Sequence, residues 1–339
     1  MKTMKAVQVN KSGEWESIEK DIVMPTAKQV RIKVEACGVC HSDVFVKENL
    51  WPNLQFPRIP GHEVAGVIDE VGTNITQWKP GQRVGVGWAG ALCGQCVSCR
   101  HGDFILCENH QITGLHYDGG YAQYMIAPVE ALVAIPDELS FADAAPLMCA
   151  GVTTFNALRH SVARPGDLVA IQGVGGLGHL GIQFSNKMGF KTVALSSGAD
   201  KEELAKKLGA HIYLNSDEHD VVLELQKLGG ARAILATAPS GKSIAPLING
   251  LGNKGELLIV GASNDPIEVI STQLIGNRRS IRGWPSGSAI DTEETLKFCA
   301  LVGIRPMIQK YPLAQAEKAF EAMMSNKVRF RSVIMMNEK

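Results

Sequence analysis

The chain has 339 residues, which allows about two domains at roughly 150 residues per domain. Its 34 basic and 34 acidic side chains cancel, so the overall charge favours neither nucleic acid nor an anionic membrane as a partner. The composition is 45% hydrophobic, which excludes disorder as the main state, and no apolar run approaches the roughly 18 residues of a membrane helix. The opening MKTMKAVQVN has no apolar signal-peptide core. We therefore expect a soluble, cytoplasmic protein.

The first half of the chain contains short strand-like segments interrupted by glycine and proline. They are KAVQVN, QVRIKVEACG, EVAGVIDEVG, QRVGVGW, YAQYMIA and ALVAIP. Strands of this length and spacing predict a β-rich domain, either a barrel or a sandwich.

The pattern changes near Leu139, where a helix with Ser140 as its N-cap begins. Apolar strands then alternate with helical segments. The strands are LVAIQG, KTVALS, HIYLN, AILAT and GELLIVG. This alternation predicts an α/β domain with a doubly wound parallel sheet and helices on both faces. Two more helical stretches and a final strand, RSVIMM, end the chain.

Between the strand LVAIQG and the following helix, the turn GVGGLG has the pattern G-x-G-x-x-G, in which the three glycines are Gly173, Gly175 and Gly178. The first glycine allows a tight turn, the second lets a pyrophosphate approach the backbone, and the third allows close helix–strand packing. Together with Gly176 and Leu177, these residues predict a dinucleotide site at the helix N-terminus.

The end of the next strand distinguishes NAD from NADP. An acidic residue there would bind the ribose 2′-hydroxyl of NAD, but this chain has Ser196, Ser197 and Gly198, followed by Lys201. Hydroxyls and a lysine suit a 2′-phosphate, so we favour NADP over NAD. Asp200 is either a displaced acidic residue of an NAD site or a helix cap.

Four cysteines lie in the short segment CGQCVSCRHGDFILC, namely Cys93, Cys96, Cys99 and Cys107. Two C-x-x-C steps fold easily around a tetrahedral zinc ion. The compact cysteine motif of iron–sulfur proteins instead has three residues before its last cysteine and a proline after it, and this segment has neither feature. Four thiolates leave no open coordination position, so this pattern predicts a structural zinc. The alternative is a surface loop of reduced thiols.

A second group of metal-binding residue types is dispersed along the chain. It comprises Cys40 in GVCHSD, His62 and Glu63 in PGHE, and Cys149 in LMCAG. A lone buried cysteine is usually a small hydrophobic residue, and each motif is weak alone. In a chain with a dinucleotide site, however, two thiolates and an imidazole form the donor set of a catalytic zinc.

The motifs GVCHSD, PGHEVAGVIDEVG, the four-cysteine loop, LMCAGVT and GVGGLG occur in this order. The chain thereby resembles the zinc-dependent medium-chain alcohol dehydrogenases over essentially its whole length. The resemblance implies a GroES-like catalytic domain of residues 1–149 and 286–339, with a Rossmann domain of residues 150–285 inserted between them. It also implies two zinc ions per chain, NADP or NAD as cofactor, and a homo-oligomer, either a tetramer or a dimer.

The same resemblance implies roles for residues near the metal. Cys40, His62 and Cys149 would hold the catalytic zinc, and Glu63 would be a nearby carboxylate that can replace water on the metal. Asp43 would orient His62 and fix its tautomer.

By this resemblance Ser42 would accept the alcohol proton, and His41 and Arg331 would contact the cofactor pyrophosphate. Many relatives pass the proton to solvent through a histidine at the position of Phe45. We therefore expect the relay to end at Ser42 and the nicotinamide ribose, with water completing the transfer. Proton release at low pH should then be impaired more than hydride transfer.

Trp51 and Trp88 match tryptophans that line the pocket in relatives acting on small primary alcohols, although large aromatic residues are also ordinary core residues. Ala262 stands where some of those relatives have a larger side chain. Its small size should leave room for longer or aromatic primary alcohols and aldehydes.

The sequence thus predicts an oxidoreductase that interconverts a small-molecule primary alcohol and its aldehyde, with zinc and NAD(P). One alternative is a polyol or secondary-alcohol dehydrogenase of the same architecture. An alternative from a different class is a zinc-ribbon interaction module beside a nucleotide-sensing Rossmann domain.

Overall fold

The structure, a computed structural model, describes residues 2–337. The chain divides into two compact units. Unit 1 comprises Met1–Val152 and Ser286–Lys339, and unit 2 comprises Thr153–Pro285. The sequence predicted domain boundaries after residues 149 and 285, and in the structure the two units divide after Val152 and after Pro285. Among residues 2–337, no helix combines the length and the apolarity that crossing a membrane requires.

The strands are numbered in chain order: β1 Thr3–Val9, β2 Trp15–Asp21, β3 Gln29–Gly38, β4 Val64–Val71, β5 Arg83–Val86, β6 Ala89–Ala91, β7 Gln111–Ile112, β8 Tyr124–Pro128, β9 Leu132–Ala134, β10 Leu168–Gln172, β11 Lys191–Ser196, β12 Ile212–Asn215, β13 Ala231–Ala236, β14 Leu251–Ile259, β15 Ser280–Gly283, β16 Ile308–Pro312 and β17 Arg331–Met335. The α-helices are α1 Val44–Lys47, α2 Val97–Arg100, α3 Phe141–Pro146, α4 Val152–Arg159, α5 Gly178–Lys187, α6 Glu202–Lys207, α7 Val221–Lys227, α8 Gly241–Ile244, α9 Ser271–Ile275, α10 Ala289–Val302 and α11 Ala316–Met324.

Unit 1 is built on a sheet with the strand order β16-β17-β3-β4-β5-β9, in which β8 also pairs with β3. Alternate residues of β3, including Val30, Ile32 and Val34, are fully buried, as the period of two in a strand requires. The antiparallel register places Cys37 at the end of β3 opposite Val64 at the start of β4. The segments after β3 and before β4 therefore lie side by side.

The helix predicted after Leu139 begins at α3, and its predicted cap is confirmed, because the Ser140 hydroxyl accepts a hydrogen bond from the backbone N–H of Asp143 at 3.1 Å. A π-helical turn, Leu147–Gly151, joins α3 to α4. Pro146 at the end of α3 has no N–H to donate, so the α-helical hydrogen-bond ladder is interrupted there. Such π turns are frequent at functional sites.

Unit 2 is a parallel six-stranded sheet with the order β12-β11-β10-β13-β14-β15. Counted within this unit, the order is 3-2-1-4-5-6, the arrangement of the Rossmann dinucleotide-binding fold. Its core is formed by apolar strand and helix residues, among them Ala170, Val193, Leu225 and Ile234. The prediction of a doubly wound parallel sheet combined with a GroES-like β-rich domain is confirmed.

Candidate active site

Four dispersed residues of unit 1 form one buried cluster. Cys40 follows β3, His62 and Glu63 precede β4, and Cys149 lies in the π-helical turn. One ligand atom from each residue lies within 4.8 Å of those of the other three. The two sulfur atoms, Cys40 Sγ and Cys149 Sγ, are 3.8 Å apart. The fold thus brings together residues from three separate elements, and we call them the four-residue cluster.

The imidazole of His62 has two different surroundings. Its Nδ1 lies 3.4 Å from Oδ1 of Asp43, whereas its Nε2 is buried without a hydrogen-bond partner among residues 2–337. A carboxylate beside Nδ1 favours the tautomer with the proton on that nitrogen, which leaves the Nε2 lone pair available to a metal. The donor set of two sulfurs and an imidazole therefore fits a zinc ion.

The Asp43 carboxylate is itself held by the surrounding structure. Its Oδ2 accepts hydrogen bonds from the Cys40 backbone N–H and from the Tyr121 hydroxyl, each at 2.9 Å. Asp43 is therefore fixed from the side opposite to His62. Tyr121 was not predicted from the sequence, since it follows two glycines and is distant from Asp43 along the chain.

Glu63 is fully buried and pairs with the Arg331 guanidinium, which also donates to the carbonyl of Val39 at 3.2 Å. Burial raises the pKa of Glu63 to about 7, although the positive charge of Arg331 opposes that shift. The other carboxylate oxygen, Oε2, has no hydrogen-bond partner among the described residues. Arg331 thus contacts the four-residue cluster, and its contact with pyrophosphate remains a prediction.

Electrostatics within the cluster favour a thiolate at Cys40. The hydrogen bond with Cys149, together with the charge of the His62 imidazole, holds the pKa of Cys40 well below its usual range despite burial. The same hydrogen bond and burial raise the pKa of Cys149 well above its usual range. Because the thiolate is the metal-binding form of cysteine, Cys40 is biased toward its ligand state, whereas Cys149 is not.

A group of aromatic side chains packs against His62. The Trp88 ring meets the His62 ring edge to face at a centroid distance of 4.9 Å, and Trp51 meets Trp88 at 6.3 Å. Phe45 and His116 also contact Trp51, with ring centroids 5.5 and 6.4 Å away. Trp88 therefore lies beside the four-residue cluster and Trp51 lies behind Trp88, whereas Ala262 lies in unit 2, on the exposed loop after β14. His116 was not anticipated from the sequence.

The residues predicted to act on the alcohol and the cofactor follow Cys40 directly. His41–Asp43 form a short 3-10 helical turn, in which Ser42 is half-buried and His41 is exposed. Ser42 is thus fixed two residues from a cluster cysteine. Its role as proton acceptor, the pyrophosphate contact of His41, and the shortened relay at Phe45 remain predictions.

The four-cysteine loop also converges, and its sulfur atoms lie within 4.8 Å of one another. Backbone N–H groups stabilise the thiolates: the N–H of Cys96 donates to Cys93 Sγ at 3.4 Å, and that of Cys93 donates to Cys107 Sγ at 3.3 Å. Donors from the loop backbone, chiefly at Gln95, lower the pKa of Cys93 to about 6. Burial raises the pKa of Cys99 to about 12. Four convergent sulfurs fit a tetrahedral structural zinc.

In unit 2, the three glycines of the G-x-G-x-x-G turn meet different demands. Gly173 has φ +90°, which disfavours other residues, and a Cβ at Gly178 would lie 1.9 Å from the Gly173 carbonyl oxygen. A Cβ at Gly175 would meet nothing within 4 Å, so the space in front of it is open to a ligand. Gly176 and Leu177 complete the turn, and the ten-residue helix α5 begins at Gly178. This geometry fits a bound pyrophosphate.

The loop that would face the cofactor ribose, residues 196–201, is held by the neighbouring segment. Lys201 Nζ donates to the Ser197 carbonyl at 3.1 Å, and the Gly198 N–H donates to Asp217 Oδ2 at 2.9 Å. The Tyr213 hydroxyl donates to the Gly198 carbonyl. We call residues 196–201 the ribose loop. Asp217 and Tyr213 were not predicted from the sequence, because helix α6 separates them from this loop along the chain. They come close to it only because β11 pairs with β12.

Comparison with known proteins identifies the family. Two family models match, an alcohol dehydrogenase GroES-like domain over residues 26–137 and a zinc-binding dehydrogenase domain over residues 176–301. The chain is 49% identical to the alcohol dehydrogenase patD of Penicillium expansum, with 93% of this chain and 92% of the relative covered.

Among solved structures, a cinnamyl alcohol dehydrogenase of Sorghum bicolor matches with a TM-score of 0.88 and 30% identity over 100% of both chains. An NAD-dependent alcohol dehydrogenase matches with a TM-score of 0.92 and 27% identity over 98% of this chain and 100% of that one. The chain belongs to the zinc-dependent medium-chain alcohol dehydrogenase family and is an alcohol oxidoreductase. The zinc-ribbon interaction module is therefore the wrong alternative.

Proposed function

We propose that this enzyme interconverts primary alcohols and aldehydes, with NADP as the favoured hydride carrier and aromatic or medium-chain molecules as substrates. The observation that carries the proposal is the convergence of Cys40, His62 and Cys149, with Nε2 of His62 buried and without a hydrogen-bond partner in the described part of the chain. Zinc bound by these three residues would supply Lewis acidity that lowers the pKa of an alcohol, while the nicotinamide would accept or deliver the hydride.

The protein's own residues would orient the reactants and move the proton. Ser42 would accept the alcohol proton, Asp43 would keep His62 in one tautomer, and Glu63 would provide a carboxylate beside the metal. The four-cysteine loop would hold the second zinc. We also propose a homo-oligomeric, cytoplasmic enzyme, as the family resemblance suggests.

The aromatic group supports a substrate that presents a flat or apolar body to the site. Trp88 contacts His62 and Trp51 contacts Trp88, so these two bulky, rigid side chains would limit the width of the substrate near the reacting carbon. The prediction that the small Ala262 leaves room for a longer molecule rests on the sequence alone. The name of the Sorghum bicolor structure, a cinnamyl alcohol dehydrogenase, supports an aromatic primary alcohol.

The ribose loop supports NADP. Ser196, Ser197 and Lys201 supply hydroxyl and ammonium donors in place of the acidic residue that an NAD site would have at the strand end. The Asp217 carboxylate accepts a hydrogen bond from the Gly198 N–H and thereby stabilises the loop.

The test is reduction of benzaldehyde, cinnamaldehyde and hexanal with NADPH and with NADH, with a polyol and a secondary alcohol assayed for oxidation. We expect kcat/KM to be highest for an aromatic aldehyde with NADPH. In Lys201→Ala, kcat/KM with NADPH should fall by about tenfold, the loss of one charged hydrogen bond, while the value with NADH stays unchanged. Lys207→Ala, which changes an exposed lysine of α6, is the matched control. Preference for NADH, or faster turnover of the polyol, would overturn the proposal.

A further inference from the structure

Tyr121 places a buried hydroxyl group against the carboxylate that faces His62. The side chain is fully buried, its hydroxyl donates to Asp43 Oδ2 at 2.9 Å, and its ring stacks on Trp15 at a centroid distance of 6.2 Å. Burial raises the pKa of Tyr121 well above its usual range, so the hydroxyl keeps its proton and acts as a donor.

The hydrogen bonds of Asp43 divide between its two oxygens. Oδ2 accepts from Tyr121 and from the Cys40 N–H, whereas Oδ1 faces Nδ1 of His62. Two donors on Oδ2 fix the rotation of the carboxylate, and this leaves Oδ1 directed at the imidazole. If the Tyr121 hydroxyl were removed, one backbone donor would remain and the carboxylate could rotate.

The segment of Tyr121 also holds the backbone that leads to His62. The Tyr121 N–H donates to the Pro60 carbonyl at 3.1 Å, and the Gly120 N–H donates to the Gly61 carbonyl at 2.9 Å. A Cβ at Gly61 would lie 2.5 Å from Cδ1 of the Tyr121 ring, so this ring lies directly beneath the residue preceding His62. Tyr121 thus contacts both supports of the histidine, its carboxylate and its backbone.

We propose that Tyr121 is a positioning residue of the catalytic zinc site, which acts through Asp43 to hold the His62 imidazole in its metal-binding orientation. The inference rests on the proposed function only in taking Cys40, His62 and Cys149 as the zinc ligands. It does not depend on the substrate or on the choice between NADP and NAD.

The test is the affinity of the intact chain for Zn²⁺, measured by competition with a chromophoric chelator, in Tyr121→Phe and in wild type. Phenylalanine keeps the ring and removes only the hydroxyl. Loss of such an outer hydrogen bond typically weakens metal binding by 10–100-fold, and we expect about tenfold at the catalytic site. The zinc of the four-cysteine loop should keep its affinity and serves as an internal reference. In the Co²⁺-substituted enzyme, the visible absorption bands should shift in the variant, because the imidazole orientation changes.

The matched control is Tyr117→Phe. The Tyr117 hydroxyl is also hydrogen-bonded, to Thr113 and to the Gly90 carbonyl, but it does not contact Asp43. Zinc affinity should be unchanged in this variant. Equal affinities in Tyr121→Phe and wild type, or an equal loss in Tyr117→Phe, would overturn the proposal. An enzyme that is inactive on aldehydes but shows the expected zinc affinities would overturn the proposed function alone.

A double substitution tests the route through Asp43. If Tyr121 acts by orienting that carboxylate, adding Tyr121→Phe to Asp43→Asn should change zinc affinity less than twofold. A full tenfold loss in the Asp43→Asn background would show that the hydroxyl acts independently and would contradict the proposed route. Because each variant is assayed for bound zinc rather than turnover, inactive variants remain informative.

Discussion

At the scale of single residues, Gly38 leaves the space that the Glu63 side chain of the four-residue cluster occupies. A Cβ at this position would lie 1.9 Å from Oε2 of Glu63 and 3.0 Å from its Cβ. The Glu63 carboxylate is held by Arg331, so it has little freedom to move away. Glycine at the end of β3 is therefore required by packing rather than by backbone conformation.

We predict that Gly38→Ala displaces the Glu63 carboxylate and destabilises the fold by about 1–3 kcal/mol, the usual cost of overpacking. The midpoint of thermal unfolding, followed by circular dichroism, should fall by about 5 °C. Gly276→Ala is the control, since its Cβ would meet only the Thr272 carbonyl oxygen, at an ordinary 3.6 Å. Equal midpoints in both variants would contradict the prediction.

At the scale of elements, the four-cysteine loop has little regular structure of its own. Only the four-residue helix α2 and the 3-10 turn Phe104–Leu106 lie between its first and last cysteines. A segment with so little regular structure would depend on a bound metal for order, as small zinc sites do.

Cys96→Ser should therefore reduce the bound zinc from two ions to one per chain, while the catalytic site stays loaded. Cleavage by trypsin at the exposed Arg100 should become faster, because the loop loses its cross-link. Elemental analysis and a timed digest measure the two effects. Ser98→Ala, in the same loop, should behave as wild type. A Cys96→Ser chain that still binds two ions would contradict the structural-zinc assignment.

The helix α10 buries a thiol that no site uses. It begins after its N-cap Ser288 and ends before Gly303, whose φ of +75° suits glycine. Cys299 is fully buried within it, and burial raises the pKa of its thiol to about 12. In the unfolded chain, by contrast, a cysteine ionises near its ordinary pKa of about 8.5.

The difference in the Cys299 pKa between the folded and unfolded chains determines how stability changes with pH. Between about pH 9 and 12 the unfolded chain has lost the Cys299 proton and the folded chain has kept it, so stability falls as pH rises, by at most about 1.4 kcal/mol per pH unit. Cys299→Ala removes this contribution. Its unfolding midpoint should lie below that of wild type at pH 8, and the gap should narrow at pH 10.5. A gap that stays constant with pH would contradict the raised pKa.

A strand could be predicted from the sequence when its buried residues form an alternating or continuous apolar pattern. The alternating or continuous apolar residues of β3, β4 and β10 made those strands predictable. The strand β2, WESIEKD, was missed because none of its residues is buried and four of the seven are charged; it is defined by backbone pairing with β1. Similarly, the cluster cysteines stand in recognisable motifs, whereas Tyr121 and Asp217 act through contacts that only the tertiary fold creates.

At the scale of the whole molecule, the two units differ in how the chain builds them. Unit 2 is one continuous segment with its own six-stranded sheet and apolar core. Unit 1 is assembled from both ends of the chain, and its first part alone lacks β16 and β17. A continuous segment with its own core can fold alone.

We predict that a fragment of residues 153–285 folds in isolation, with a cooperative unfolding transition, and binds adenosine 2′,5′-bisphosphate more tightly than adenosine 5′-monophosphate. A fragment of residues 1–152 should remain unfolded, because β3 would lose a sheet partner. Circular dichroism measures the folding of both fragments, and calorimetric titration measures nucleotide binding by the 153–285 fragment. An unfolded 153–285 fragment would show that its sheet depends on unit 1.

The last strand of the chain, β17, is an interior strand that pairs with β3 in unit 1, and it carries the arginine that pairs with Glu63. During synthesis, β17 can pair with β3 only after the whole of unit 2, which precedes it in the chain, has left the ribosome. A chain interrupted within unit 2 would therefore lack both β17 and the arginine that pairs with Glu63. Formation of this buried ion pair would thus wait until synthesis has passed through unit 2.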